Sequence, residues 1–218
     1  MVGINTRATM DMDATIKGMP ISQQTVEEMF IKISQINIDD EITFSFLNIS
    51  EIREGDEYES YRVSLSANFS PMAIPLKLDI TTGDKITPNE IKYEYKLLLE
   101  ERSINVLAYN LETILTEKIE TIITRSDQNT RPRDFYDVYV LQKLQGNNIN
   151  LKLLRKAIEA TANKRRSTSI LKNHKDIIEV IRFSSEMKQR WLKYQKDFDY
   201  AKGINFEKKF SISSNFYY

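Results

Sequence analysis

At 218 residues the chain has room for one large domain or two small ones, and for a core that needs no covalent staples. Its 31 basic and 31 acidic residues cancel, so no global charge draws it to nucleic acid or a membrane, while a local basic patch stays open. The absence of cysteine and the single histidine, His174, exclude disulfides, thiolate metal sites, cysteine nucleophiles and multi-histidine zinc centres. A metal here has to sit on carboxylates, which select hard ions such as magnesium or manganese. No apolar run reaches membrane-spanning length, and the start MVGINTRATMDMD has no apolar segment after a basic one. A soluble cytoplasmic protein is expected.

The segment 8–16 alternates, with Met10, Met12, Ala14 and Ile16 on one face and Asp11, Asp13 and Thr15 on the other, as in a half-buried strand. Gly18 and Pro20 end it. Thr25 followed by Glu28 reads as a capping box, and Val26, Met29, Phe30, Ile33 and Ile36 mark the apolar face of the helix that follows. Two strand-like runs, 41–53 and 58–69, flank the polar turn Glu54-Gly55-Asp56-Glu57 and form a long hairpin. Residues 74–81 make another strand, with Pro75 near its start or at an edge. Short strands are expected over 93–99 and 104–109.

At Asn110, a helix cap, the pattern turns helical. Leu111, Ile114, Leu115, Ile119 and Ile122 form an apolar stripe. A helix over 131–144 accepts Pro132 in its first turn and closes at Gly146-Asn147-Asn148. Helices over 151–163, 170–183 and 185–200 follow, then an aromatic, serine-rich tail. The sequence divides into an α/β part, 1–109, and a helical part, 110–218, with no flexible linker between them.

Asp11 and Asp13, two apart on a strand, aim both carboxylates the same way. Their repulsion is relieved by a shared divalent cation, which is how a strand can hold metal for phosphoryl chemistry. Asp79, with Leu78 and Ile80 facing the other way, repeats the geometry. Spacing alone leaves two readings open, a carboxylate metal site and a solvated sheet face. Lys118 lies within the apolar stripe and needs a carboxylate or phosphate partner, or has to snorkel. Asp134 and Asp137, three apart behind Arg133, share a helix face near an N-terminus, where the helix dipole alone would favour acids. His174, between Lys172 and Lys175, reads as a surface residue. Lys164-Arg165-Arg166 is either a solvated loop or a contact to RNA phosphate. Trp191, Tyr194 and Phe198 read as core positions.

Taken in order, these pieces resemble the AbiEii/AbiGii nucleotidyltransferase toxin family of the polymerase-β-like superfamily. Arg7-x-Thr9-x-Asp11-Met12-Asp13 and the following Thr15-Ile16-Lys17-Gly18 are similar to the family's catalytic strand. Leu78-Asp79-Ile80 is similar to its later single-acid strand. Lys118 and Arg133-Asp134-Phe135-Tyr136-Asp137 resemble its helical elements. The resemblance spans about residues 2–144 and implies an α+β fold: a mixed sheet with flanking helices, then a C-terminal helical region. It implies transfer of a nucleotide from a nucleoside triphosphate, with magnesium or manganese on Asp11, Asp13 and Asp79. Asp79 would alternatively act as a base. Lys118 would stabilise phosphate charge, Asp134 and Asp137 would orient Lys118 or support the site from behind it, and Arg7, Thr9 and Arg133 would be supporting residues or nucleotide contacts. Transfer RNA or another RNA is the implied acceptor, and a cognate antitoxin the implied partner. The family pattern opens with a Gly-Gly or Gly-Ser turn that cradles phosphate, and no glycine pair precedes Asp11 here. A chain lacking that segment is expected to expose apolar surface and self-associate. The departure supports one rival, a non-catalytic nucleotide- or protein-binding remnant; a metal-dependent nuclease using the same acids is a second.

Overall fold

A computed structural model describes residues 11–38, 40–52, 59–97 and 100–206. Arg7, Thr9, the turn 54–57 and the tail after 206 lie outside the described residues. The chain forms two compact units that divide between Asp84 and Lys85, and the structure is mixed α and β, as the sequence implies.

The first unit is a four-stranded mixed sheet of β1 (Asp11–Ile16), β2 (Thr43–Glu51), β3 (Ser60–Phe69) and β4 (Met72–Thr82) in the order β1-β4-β3-β2. β1 runs parallel to β4, and the other pairs are antiparallel. β4 is therefore an interior strand, and Pro75 lies inside it, opposite Ser66. The proline is tolerated because the described pairing with β1 begins only at Lys77, so no ladder bond to β1 is lost at Pro75. Leu76, Leu78 and Ile80 of β4 and Val63 and Leu65 of β3 face helix α1 (Gln23–Ser34), which buries Val26 and Phe30 against them. Burying each such side chain contributes roughly 1.5–3 kcal/mol.

The cap of α1 differs from the expectation. The Ser22 hydroxyl accepts the Thr25 backbone N–H at 3.2 Å, so the helix starts one turn earlier than a box at Thr25 and Glu28 would place it. The apolar face is also narrower than expected, since Ile33 and Ile36 are exposed.

The second unit holds a hairpin of β5 (Ile91–Lys96) and β6 (Ser103–Ala108) and helices α2 (Leu111–Arg125), α3 (Pro132–Gln145), α4 (Leu151–Lys164), α5 (Thr168–Lys172), α6 (His174–Phe183) and α7 (Ser185–Asp197). The hairpin groups with the helices, so the change of pattern at Asn110 marks the start of α2 within this unit. Asn110 caps α2 as expected. Its Oδ1 accepts the Thr113 N–H at 2.8 Å, and its Nδ2 donates to the carbonyls of Thr87 at 2.7 Å and Asn89 at 3.2 Å. One side chain thereby starts the helix and fixes the strand-free segment before β5. Leu115, Ile119 and Ile123 make α2 the centre of a core completed by Phe135, Leu141, Leu154 and Trp191. The Trp191 indole N–H donates to the Ile204 carbonyl at 3.1 Å, and Tyr194 is also buried, while Phe198 is exposed.

The helix expected over 170–183 is two helices meeting at Asn173. His174 Nδ1 donates to the Leu171 carbonyl at 2.9 Å, a local bond that competes with helix continuation. α7 ends at Asp197, short of Tyr200, where Asp199–Ala201 form a 3-10 turn.

Candidate functional site

On β1 and β4 the register sets Asp13 directly across from Asp79 and Asp11 across from Lys77. Directly paired residues of adjacent strands present their side chains on one face. That face is opposite α1, because the neighbouring Leu78 and Ile80 pack on the helix side. The Asp13 carboxylate is exposed and makes no hydrogen bond or ion pair among the described residues. Of Asp11 the structure gives the backbone position only.

Asp79 has a partner the sequence did not reveal. Arg62 stands across from it on β3 and donates through Nε to Oδ1 and through Nη2 to Oδ2, both at 2.7 Å. This fork geometry is the strongest form of a carboxylate–guanidinium bond. Asp79 is 19% exposed and Arg62 40%. One step along the strands, Thr15 and Thr81 are again register partners, with hydroxyls 2.6 Å apart and each 2.5 Å from Asp84 Oδ2. Asp84 thus joins β1 to the end of β4 on the aspartate face. Alternation along β3 shows Arg62 facing away from Tyr61 and Val63, but its pairing with Asp79 depends on the strand register.

The second group belongs to the helical unit. Lys118 on α2 reaches Asp134 Oδ1 at 3.1 Å and Asp137 Oδ2 at 3.2 Å, both on α3. A lysine in the apolar stripe is thereby accounted for by two carboxylates one helix turn apart. Asp134 is 3% exposed, and its Oδ2 is buried without a hydrogen-bond partner. Arg133, the preceding residue, is exposed. His174 bonds within its own helix junction. Arg165, in the turn that ends α4, is not available to phosphate, since it donates to Glu120 and Glu117, each at 2.6 Å. Burial opposes its charge, but the two glutamates outweigh it and raise its pKa above the usual guanidinium range.

Asp13 and Asp79 thus stand side by side on neighbouring parallel strands of a mixed sheet. Over residues 1–211 the chain matches the family model described as nucleotidyl transferase AbiEii toxin, type IV toxin–antitoxin system, and it belongs to that family. No curated protein sequence matches it. Among solved structures it is similar to JHP933 from Helicobacter pylori, with 15% identity, a TM-score of 0.42, and coverage of 96% of this chain and 74% of that one. It is also similar to a candidate nucleotidyltransferase from H. pylori, with 15% identity, a TM-score of 0.35, and coverage of 79% and 64%.

The donors are of the type a hard cation takes, but both oxygens of Asp79 are engaged by Arg62, which leaves Asp13 as the acid with open lone pairs among the described residues. Asp13 and Asp79 supply oxygen, and magnesium commonly takes only one or two carboxylates, with water and substrate phosphate completing its shell. Among the described residues no group of three acidic or histidine side chains forms a metal cluster, and no helix is long and apolar enough to cross a membrane.

Proposed function

We propose that this chain transfers a nucleotide from a nucleoside triphosphate to an acceptor, an RNA such as transfer RNA, and that this activity makes it the growth-arresting toxin of a pair whose antitoxin is encoded with it. The transferase core would lie in 1–109, with 110–218 supplying Lys118. The family match across 1–211 carries the reading, and the adjacent register of Asp13 and Asp79 supports it.

In this reading Asp11, Asp13 and Asp79 hold magnesium or manganese, which when bound neutralises triphosphate charge. An acceptor hydroxyl attacks the α-phosphorus, the bond to the β-phosphate oxygen breaks, and pyrophosphate leaves. The hydroxyl proton goes to a carboxylate; Asp79 would take it as the alternative to holding the cation, and either role requires Arg62 to yield an oxygen. Lys118 has three N–H donors, of which Asp134 and Asp137 engage two. At 29% exposure the third remains for a phosphate oxygen, and the two acids hold the ammonium in place for it. Arg7, Thr9 and Arg133 would contact the nucleotide, and Asp137 would steady Lys118.

A second reading has its own observation. Because Arg62 engages both oxygens of Asp79, the face also suits a binding remnant in which that acid is neutralised. Incubation with each α-labelled nucleoside triphosphate, magnesium and total RNA separates the two. Label in RNA that disappears in Asp11→Ala/Asp13→Ala supports transfer. Nucleotide binding with no label in any acceptor supports the remnant, and shortened RNA would indicate a nuclease.

A further inference from the structure

The balanced total charge conceals a strong segregation. Ala8–Asp84 carries 5 basic and 14 acidic residues, while 85–218 carries 25 basic and 17 acidic. Within the second unit the excess is concentrated further. Between Leu151 and Lys175 there are eight lysines and arginines against one acid, Glu159. Arg165 is consumed by Glu117 and Glu120, as described above. Lys152, Arg155 and Lys156 lie in the first two turns of α4 at the spacing that shares a helix face, and all three are exposed. Arg166 beyond the end of α4, Lys172 of α5 and Lys175 of α6 are exposed as well. α4 and α5 both pack on α2, so these residues decorate the outside of one continuous layer. With about 1.5 Å of rise per residue, Lys152 to Lys156 span roughly 6 Å along α4.

We infer that this α4–α6 surface docks the phosphate backbone of double-helical RNA, the structured part of the acceptor. Six exposed lysines and arginines against Glu159 on α4 and Asp176 and Glu179 on α6 leave an excess of positive charge that fits a polyanion, and backbone contacts are what such side chains supply without reading sequence. The choice of duplex comes from what the segment lacks. It contains no Phe, Tyr or Trp from 151 to 175. Single-strand binders stack bases on aromatic rings, whereas double-stranded RNA is held by shape and by phosphate contacts. The choice of RNA over other polyanions rests on the transferase reading, but the surface can be tested without any catalysis.

The test is fluorescence anisotropy with a labelled RNA duplex of about 20 base pairs and a single strand of the same length, titrated with the full chain between about 50 and 200 mM KCl. Lys152→Ala/Arg155→Ala/Lys156→Ala is compared with Lys92→Ala/Lys193→Ala/Lys196→Ala, which removes the same charge at exposed positions elsewhere in the unit. Circular dichroism verifies that both variants fold. The α4 variant is expected to bind duplex at least tenfold more weakly at low salt, with a salt slope reduced by about 3, one for each lost phosphate contact. The control variant is expected to stay close to the wild type. Equal weakening by the two variants, preference for the single strand, competition by polyglutamate at equal charge, or no binding at low salt would each overturn the proposal. Loss of label transfer with duplex binding intact would count against the transferase alone. Transfer to RNA by an α4 variant that still binds duplex like the wild type would count against this surface alone.

Discussion

Arg62 grips both carboxylate oxygens of Asp79 at 2.7 Å, on the strand position directly beside Asp13. The ion pair stands between the two acids and any cation they would share, because a guanidinium and a divalent ion compete for the same lone pairs. Arg62→Ala is therefore expected to tighten manganese binding several-fold, read by electron paramagnetic resonance of the free ion. The same substitution is expected to cost about 1 kcal/mol in urea unfolding, a low figure because the arginine is 40% exposed and screened by solvent. Unchanged manganese affinity would mean that Asp79 is not part of a cation site.

Asp13 is expected to behave in the opposite way. Its carboxylate is exposed and satisfies no partner among the described residues, so Asp13→Ala is expected to leave the unfolding midpoint within the about 0.5 kcal/mol usual for surface changes. Label transfer to RNA is expected to fall by at least a hundredfold. Loss of stability in step with activity would show a structural role instead.

Much of this arrangement was legible in the sequence, and the rest was hidden for identifiable reasons. The alternation through Met12, Asp13 and Ala14, and through Leu78, Asp79 and Ile80, fixes which face each acid takes, and the strands lie side by side as that reading requires. Arg62 was missed because its pairing depends on the register of β3 with β4, a tertiary property with no local signature. The α1 cap was misplaced because Ser22 and Thr25 both offer plausible cap chemistry, and packing of Val26 and Phe30 decides between them. The break at Asn173 follows from a side-chain bond of His174 that apolar periodicity does not report. The basic surface on α4 was in plain view, but equal totals of 31 and 31 concealed it.

Lys118 sets a prediction within the helical unit. Replacing it with methionine preserves the stem but leaves Asp134, 4% exposed at its side chain, as a buried carboxylate without its cation. Removing one partner of such a pair typically costs about 3–5 kcal/mol, and the low end is expected because the ammonium is 29% exposed. Lys118→Met/Asp134→Asn is expected to recover a substantial part of that loss in chemical denaturation, since the more deeply buried of the two carboxylates that face Lys118 no longer carries charge, while Asp137 at 13% exposure keeps its own. Additive losses in the double variant would show that the two side chains do not act as a pair.

Arg165 sets a prediction with a defined pH dependence. Its guanidinium joins the end of α4 to Glu117 and Glu120 of α2, and Glu120 is only 5% exposed at its side chain. Arg165→Ala leaves two acids one turn apart facing each other, at an expected cost of roughly 2–3 kcal/mol, reduced from the fully buried case because Arg165 is 27% exposed. The folded-state pKa of the arginine is raised, with the two glutamates overcoming the opposing effect of burial. A raised cationic group contributes stability that is complete below its unfolded value and is lost only as pH rises through the folded one. Both lie above the working range of a folded protein. The wild-type advantage over Arg165→Ala is therefore expected to stay level in urea titrations from neutral pH to about pH 10, well below the guanidinium range. An advantage that declined on the alkaline side would assign the stabilisation to a group other than this arginine.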